Sequence, residues 1–284
     1  MKLSYDEICF HGKEANMKPC IIFIHGMLES KKTWRIVAPE IARKTHRRVY
    51  AVDVRNHGSS PWGDELNFDI MADDVEEFMV DHSIPSAVLI GHSLGGRIAM
   101  TIALRKPEKV NILIVEESVP RTFKPAPEGI IAKSLNGMKE VLNAVNDTEN
   151  DNEALSYARD FFLCTVNPMD RQMAVNYHLD MLPLKKQAGK YAWECDVDGL
   201  IDMVSTEKIG QELTGVYKGH VLFLYGTKTF FKMEEDTLIP VLFPQAVKLK
   251  VDGASHFIHT EHPELFIAEV SKFINENTAV ISKY

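Results

Sequence analysis

Residues 86–104 read SAVLIGHSLGGRIAMTIAL, and the fold turns on this stretch. An apolar run, Ala87–Ile90, leads into G-H-S-L-G at 91–95, and apolar residues at helical spacing follow. The pattern is strand, sharp turn, helix. Such a turn holds its central serine in a strained backbone conformation and lifts the hydroxyl above the sheet edge. Gly91 and Gly95 lack a Cβ and let the chain pass close beside the turn. The helix start offers the Leu94 N–H toward a developing oxyanion. Ser93 is therefore the expected nucleophile, against the alternative of a Gly-Ser loop with no chemistry.

Outward from this turn, short apolar runs alternate with amphipathic stretches. The rhythm predicts an α/β fold, a mostly parallel central sheet flanked by helices. On the N-terminal side, MKLSYDEICF reads as a first strand and CIIFIHG (20–26) as a buried one. Residues 33–44 follow as a helix capped by Thr33, then a strand from 47 running into the loop RNHGSS, then a helix over 68–82. On the C-terminal side, the helix after Ser93 runs to about Arg105 and VNILIVEES (110–118) is the next strand. Residues 119–218 break the rhythm with helical stretches only, and are expected to form a helical cap inserted after the sixth strand. The alternation resumes with HVLFLYG (220–226) and AVKLKVDGASH (246–256), and a helix over 263–277 closes the chain. The expected division is a core of residues 1–118 and 219–284 with the cap of 119–218 between.

Bulk properties exclude several function classes. The 284 residues are 45% hydrophobic and 25% charged, the profile of a globular domain. Lys+Arg 32 against Asp+Glu 40 gives a net charge of −8 with no basic stripe, which argues against nucleic acid as a partner. Cys9, Cys20, Cys164 and Cys195 are scattered without a CxxC pair, so neither a disulfide framework nor a metal site is expected. No apolar run reaches the roughly 18 residues that a bilayer span needs. A reducing, cytoplasmic setting is the expectation; a mitochondrial address would need an N-terminal extension. Protein partners are not legible.

The rest of a serine-centred site can be sought at the same sheet edge. His25-Gly26-Met27 ends the first long strand, and the Met27 N–H is the expected second oxyanion donor, with Leu28 one residue further on. His256, in GASHFIH after the last strand, is the expected general base. His259 and His262 fall at the start of the last helix and read as solvated or capping residues. The acid is harder to find. The loop after HVLFLYG reads GTKTFFK, with no carboxylate. Glu116, at the end of IVEES, leads on strand position; Asp198, late in the cap, is the second candidate. Asp53 reads as a loop-ordering residue.

These residues together resemble one branch of the α/β-hydrolases, that of the animal α/β-hydrolase domain-containing protein 11 and related bacterial esterases. The resemblance rests on HGM at 25–27, DVRNHGSSP at 53–61, GHSLGG at 91–96, a W-x-x-x-x-D element at 193–198 and GASHFIH at 253–259. It implies the α/β-hydrolase fold, no cofactor, and hydrolysis of a carboxylic ester, with acylglycerols the proposed substrates of the animal members. It assigns the nucleophile to Ser93 and the histidine to His256. It divides the acid between Glu116, by likeness to the bacterial members, and Asp198, by likeness to the animal ones. Two motifs depart from the family: D-I-S-P after the sixth strand is Glu-Glu-Ser-Val here, and the G-G-N-S type turn after the seventh is GTKT. The expected activity is an esterase or lipase that works through an acyl-enzyme. The alternatives are a thioesterase, a cofactor-free C–C hydrolase or perhydrolase, or a weakly catalytic binding protein on the same fold.

Overall fold

The structure is a computed structural model that describes residues 1–8, 18–122, 124, 128–148, 150–161, 181–209, 212–229 and 231–278. One of its inner strands is β2 (Cys20–Ile24), every residue of which is buried. Strands β1 (Tyr5–Ile8), β3 (Val49–Val52), β4 (Ala87–His92), β5 (Val110–Glu116), β8 (His220–Gly226) and β9 (Ala246–Val251) complete a seven-stranded sheet in the order β1-β3-β2-β4-β5-β8-β9. Only β1 runs antiparallel to its neighbour; the other pairs are parallel.

Side-chain parity divides the core in two. Ile22, Ile24, Leu89, Leu113, Val115 and Phe223 pack on one face with helices α2 (Phe68–Asp81) and α3 (Leu94–Arg105). Ile21, Phe23, Val88, Ile90, Ile112, Ile114, Leu222 and Leu224 pack on the other, with α1 (Val37–Thr45) and α7 (Pro263–Glu276). Each such residue, fully buried, contributes roughly 1.5–3 kcal/mol.

Two local expectations change. The helix read over 33–44 is a 3-10 turn, Lys31–Arg35, followed by α1. Ser30 caps the turn, while the Thr33 hydroxyl donates to Glu29 Oε1 at 2.9 Å instead of capping. Between β5 and β8 the described residues form α4 (Ile130–Asn146), α5 (Asp151–Phe161), α6 (Val197–Ser205) and also an antiparallel hairpin, β6 (Leu184–Gln187) with β7 (Lys190–Trp193). None of these joins the large sheet, and β5 is the fifth described strand rather than a sixth. The hairpin escaped the sequence pattern because LKKQ and KYAW carry so little apolar alternation. Met181 and Trp193 of this segment are buried in the core; Phe162, Leu163, Met169 and Met173 lie outside the described residues.

The chain leaving β7 is stitched to the loop after β3. Gly58 N–H donates to the Glu194 carbonyl at 2.6 Å, Asp196 N–H to the Asn56 carbonyl at 2.9 Å, and Lys32 pairs with Glu194 at 2.9 Å. Asp53 orders that loop as its position implied, accepting the backbone N–H of Lys31 and Ser59 at 2.7 and 2.9 Å. No described helix is long and apolar enough to cross a membrane.

Candidate active site

The carboxyl ends of β2, β4, β5, β8 and β9 meet at one edge, where open α/β sheets present their ligand sites. Ser93 stands between β4 and α3 with φ 52° and ψ −112°, a conformation that costs on the order of 1–3 kcal/mol and persists only where the surroundings impose it. They impose it here by close packing. A Cβ at Gly91 would lie 2.3 Å from the Gly95 carbonyl oxygen, and one at Gly95 would lie 2.1 Å from that of Ile24. The Ser93 N–H is held by the Glu116 carbonyl at 2.9 Å. Leu94 is the first residue of α3, so its N–H has no acceptor within the helix. Met27, Leu94 and Ser93 line one cavity of about 60 Å³ together with Phe68, Ile131, Val204 and Phe231. Both expected oxyanion donors thus belong to residues at the serine.

His256 lies on the same side. Its ring stacks on Phe231 of the serine cavity, with centroids 5.4 Å apart. Its carbonyl is 2.8 Å from Nε2 of His92, the residue before Ser93. The carboxylate that meets its ring is Glu117, with Nδ1 to Oε2 at 3.4 Å. Glu117 itself is fully buried and takes a left-handed backbone conformation, φ 51°. Gly226 N–H donates to Oε1 at 2.5 Å and the Thr229 hydroxyl to Oε2 at 2.6 Å. The loop after β8, which carries no acid, therefore holds one supplied by the neighbouring strand.

The structure brings neither expected acid to the His256 ring. Glu116 faces away from His256, because it shares parity with Ile112 and Ile114 and so points to the opposite side of the sheet. There it accepts from the His259 N–H at 2.9 Å and meets the His259 ring at 2.9 Å. Asp198 is 78% exposed and pairs with Lys139. A sequence signal for Glu117 existed. Glu117-Ser118-Val119-Pro120 keeps the carboxylate three residues ahead of a proline, the spacing of D-I-S-P; matching the motif one residue earlier misses it. His259 is also corrected: it is buried, not solvated. His262 precedes α7 but makes no side-chain cap.

On the Glu116 side lies a sealed polar cluster. Glu29, His92, Glu116 and His259 are all buried. Burial pushes the Glu29 carboxyl up, but His92, His259 and His25 outweigh it and hold the group well below the carboxylate range. Glu116 is likewise lowered, its burial outweighed by His259 and His92. Burial pulls His92 down, yet Glu29 and Glu116 raise it to about 9. His256 is lowered, chiefly by burial, with the Glu117 bond opposing and His92 adding to the effect. Donor atoms of His92, Glu116 and His259 lie within 4.8 Å of one another, a closeness that these carboxylate–imidazole contacts already account for.

Residues 19–263 match the family model described as alpha/beta hydrolase fold. The chain belongs to the α/β-hydrolase family. This hydrolase-fold chain is 31% identical over 275 residues to the sn-1-specific diacylglycerol lipase ABHD11 of Danio rerio, covering 96% of this chain and 83% of that one. It is 26% identical over 271 residues to a putative esterase/lipase of Haemophilus influenzae, covering 94% and 88%. Among solved structures, a marine microorganism esterase superposes with a TM-score of 0.79 at 24% identity, over 96% of this chain and 99% of the other, a likeness of fold.

Proposed function

We propose that this α/β-hydrolase cleaves carboxylic esters through an acyl-enzyme, with Ser93 as nucleophile, His256 as general base and Glu117 as the acid. The observation that carries this reading is that two features address one cavity: Ser93, at a strained strand-to-helix turn, lines it, and the ring of the His256–Glu117 pair stacks on Phe231, which lines it too. His256 takes the Ser93 proton as the hydroxyl attacks the ester carbonyl, and the Met27 and Leu94 N–H groups stabilise the oxyanion. His256 then protonates the leaving alcohol, and water activated by the same imidazole releases the acid. Glu117 fixes the Nδ1–H tautomer and stabilises the imidazolium. Lowering of His256 below its ordinary range keeps the imidazole neutral, and so able to act as a base, at neutral pH.

The apolar cavity at Ser93 suits the acyl chain, and residues 119–218, which contribute Ile131, Val204 and Ile209 to it, act as a cap. Relatives that bear the name diacylglycerol lipase support an acylglycerol as substrate. A fluorophosphonate probe tests the mechanism. The folded protein is expected to gain one probe adduct, located at Ser93 by peptide mass mapping and lost in Ser93→Ala, whose hydrolysis of p-nitrophenyl butyrate falls at least about 10³-fold. Folded protein that takes no label, or a Ser93→Ala variant that keeps its activity, would overturn the reading.

A further inference from the structure

His92 has no part in the acyl-transfer steps, yet it is almost completely buried between the two loops that perform them. Its Nδ1 is 2.8 Å from Glu29 Oε2, and its Nε2 is 2.8 Å from the His256 carbonyl oxygen. The carbonyl can only accept. Glu29 accepts from Gly26 N–H at 2.6 Å and from the Thr33 hydroxyl at 2.9 Å, and although burial opposes it, His92, His259 and His25 hold its carboxyl well below the carboxylate range, so it stays ionised and does not donate to the ring. Two acceptors on one imidazole require an N–H on each nitrogen. The chain of bonds then runs from Gly26, next to the oxyanion donor Met27, through Glu29 and His92 to the backbone of His256.

We propose that His92 is a positioning residue: a doubly protonated imidazole that fixes the turn carrying Met27 and the loop carrying His256 in one geometry. This rests on the Ser93–His256 reading of the site. A neutral imidazole has one N–H and can serve only one of the two acceptors, turning a lone pair toward the other. Loss of the proton therefore frees one loop, and activity falls with it. The groups facing His92 are Glu29 and His25 from the β2 side, Glu116 from β5, and His256 and His259 from the segment after β9, whose rings lie 4.7 and 5.0 Å away. Glu29 and Glu116 raise His92 to about 9, so the bridge holds through neutral pH and fails on the alkaline side.

The test is the pH profile of kcat/KM for methyl butyrate, followed by acid release. The native protein is expected to show an alkaline limb with an apparent pKa near 9. In His92→Gln that limb disappears, because an amide does not titrate, and kcat falls about tenfold with KM changed less than twofold. In Glu29→Gln the limb moves toward neutral pH, since the carboxylate that holds the proton is gone. A limb that persists unmoved in both variants would falsify the proposal. If His92→Gln does not fold, 15N spectra of histidine-labelled native protein decide: both His92 nitrogens carry protons at pH 7.5, and a ring with one N–H there overturns the assignment. Fluorophosphonate labelling separates the two levels, because an unlabelled native protein sinks the esterase reading, whereas a labelled one with an unmoved limb sinks only the role of His92.

Discussion

Two carboxylate–imidazole pairs start from adjacent residues, Glu116 at the end of β5 and Glu117 just past it, and differ in what surrounds them. Glu116 and His259 meet at 2.9 Å with neither side chain exposed, and the other ring nitrogen of His259 is 2.8 Å from the Thr33 hydroxyl. Glu117 and His256 meet at 3.4 Å, and the His256 ring is 18% exposed and faces the serine cavity through Phe231. In the proposed mechanism the tighter pair is the one that takes no part. Shared closure on every side makes a good structural clamp but leaves nothing for a substrate, whereas a general base must present its ring to reactants. Short distance between Glu and His is thus a poor guide to catalysis, and access is the better one.

The contrast can be broken from either side. Glu117→Gln should produce the largest loss, roughly 10³–10⁴-fold in kcat on p-nitrophenyl butyrate with the fold intact, because the amide cannot stabilise the imidazolium. A loss under tenfold would move the acid elsewhere. Glu116→Ala should act on stability instead, costing about 3–5 kcal/mol in urea unfolding by taking the carboxylate from His259 Nδ1 in the core. If it unfolded like the native protein while losing activity, the two pairs would have to exchange roles. The pH dependence gives a smaller and sharper mark. A depressed histidine stays neutral to lower pH, so the acid limb of kcat/KM should have its midpoint below 6.5, with activity lost as pH falls through it. A midpoint above 6.5 would contradict the burial that sets it. Asp198→Ala, which removes an exposed ion pair with Lys139, should change kcat less than twofold. A loss of tenfold or more in that variant would return the cap carboxylate to the mechanism.

How much of this was legible depended on range along the chain. Ser93 and the strands around it were readable because strand, turn and helix are local patterns set by apolar spacing and two glycines. The place of His256 beside the serine cavity was readable from chain order and from its lying just past the last strand. Glu117 was not, because the choice between Glu116 and Glu117 is a choice of parity. One residue of error moves a side chain to the other face of the sheet. The apolar neighbours Ile112 and Ile114 against Leu113 and Val115 do not say which face is which until helices are packed on them. The cluster of Glu29, His92, Glu116 and His259 was illegible for another reason: its members are up to 230 residues apart (29 to 259), and only the folded sheet brings them together.

The hold of Thr229 and Gly226 on Glu117 bears on how such sites diversify. Thr229 lies in the loop after β8, which carries no acid, and its hydroxyl touches the very oxygen that faces His256. Two neighbouring strand ends therefore address the same point in space. If Glu117 is the acid, a charge placed at either of these strand ends could serve one histidine, and the loop without a carboxylate still sets where that charge lies.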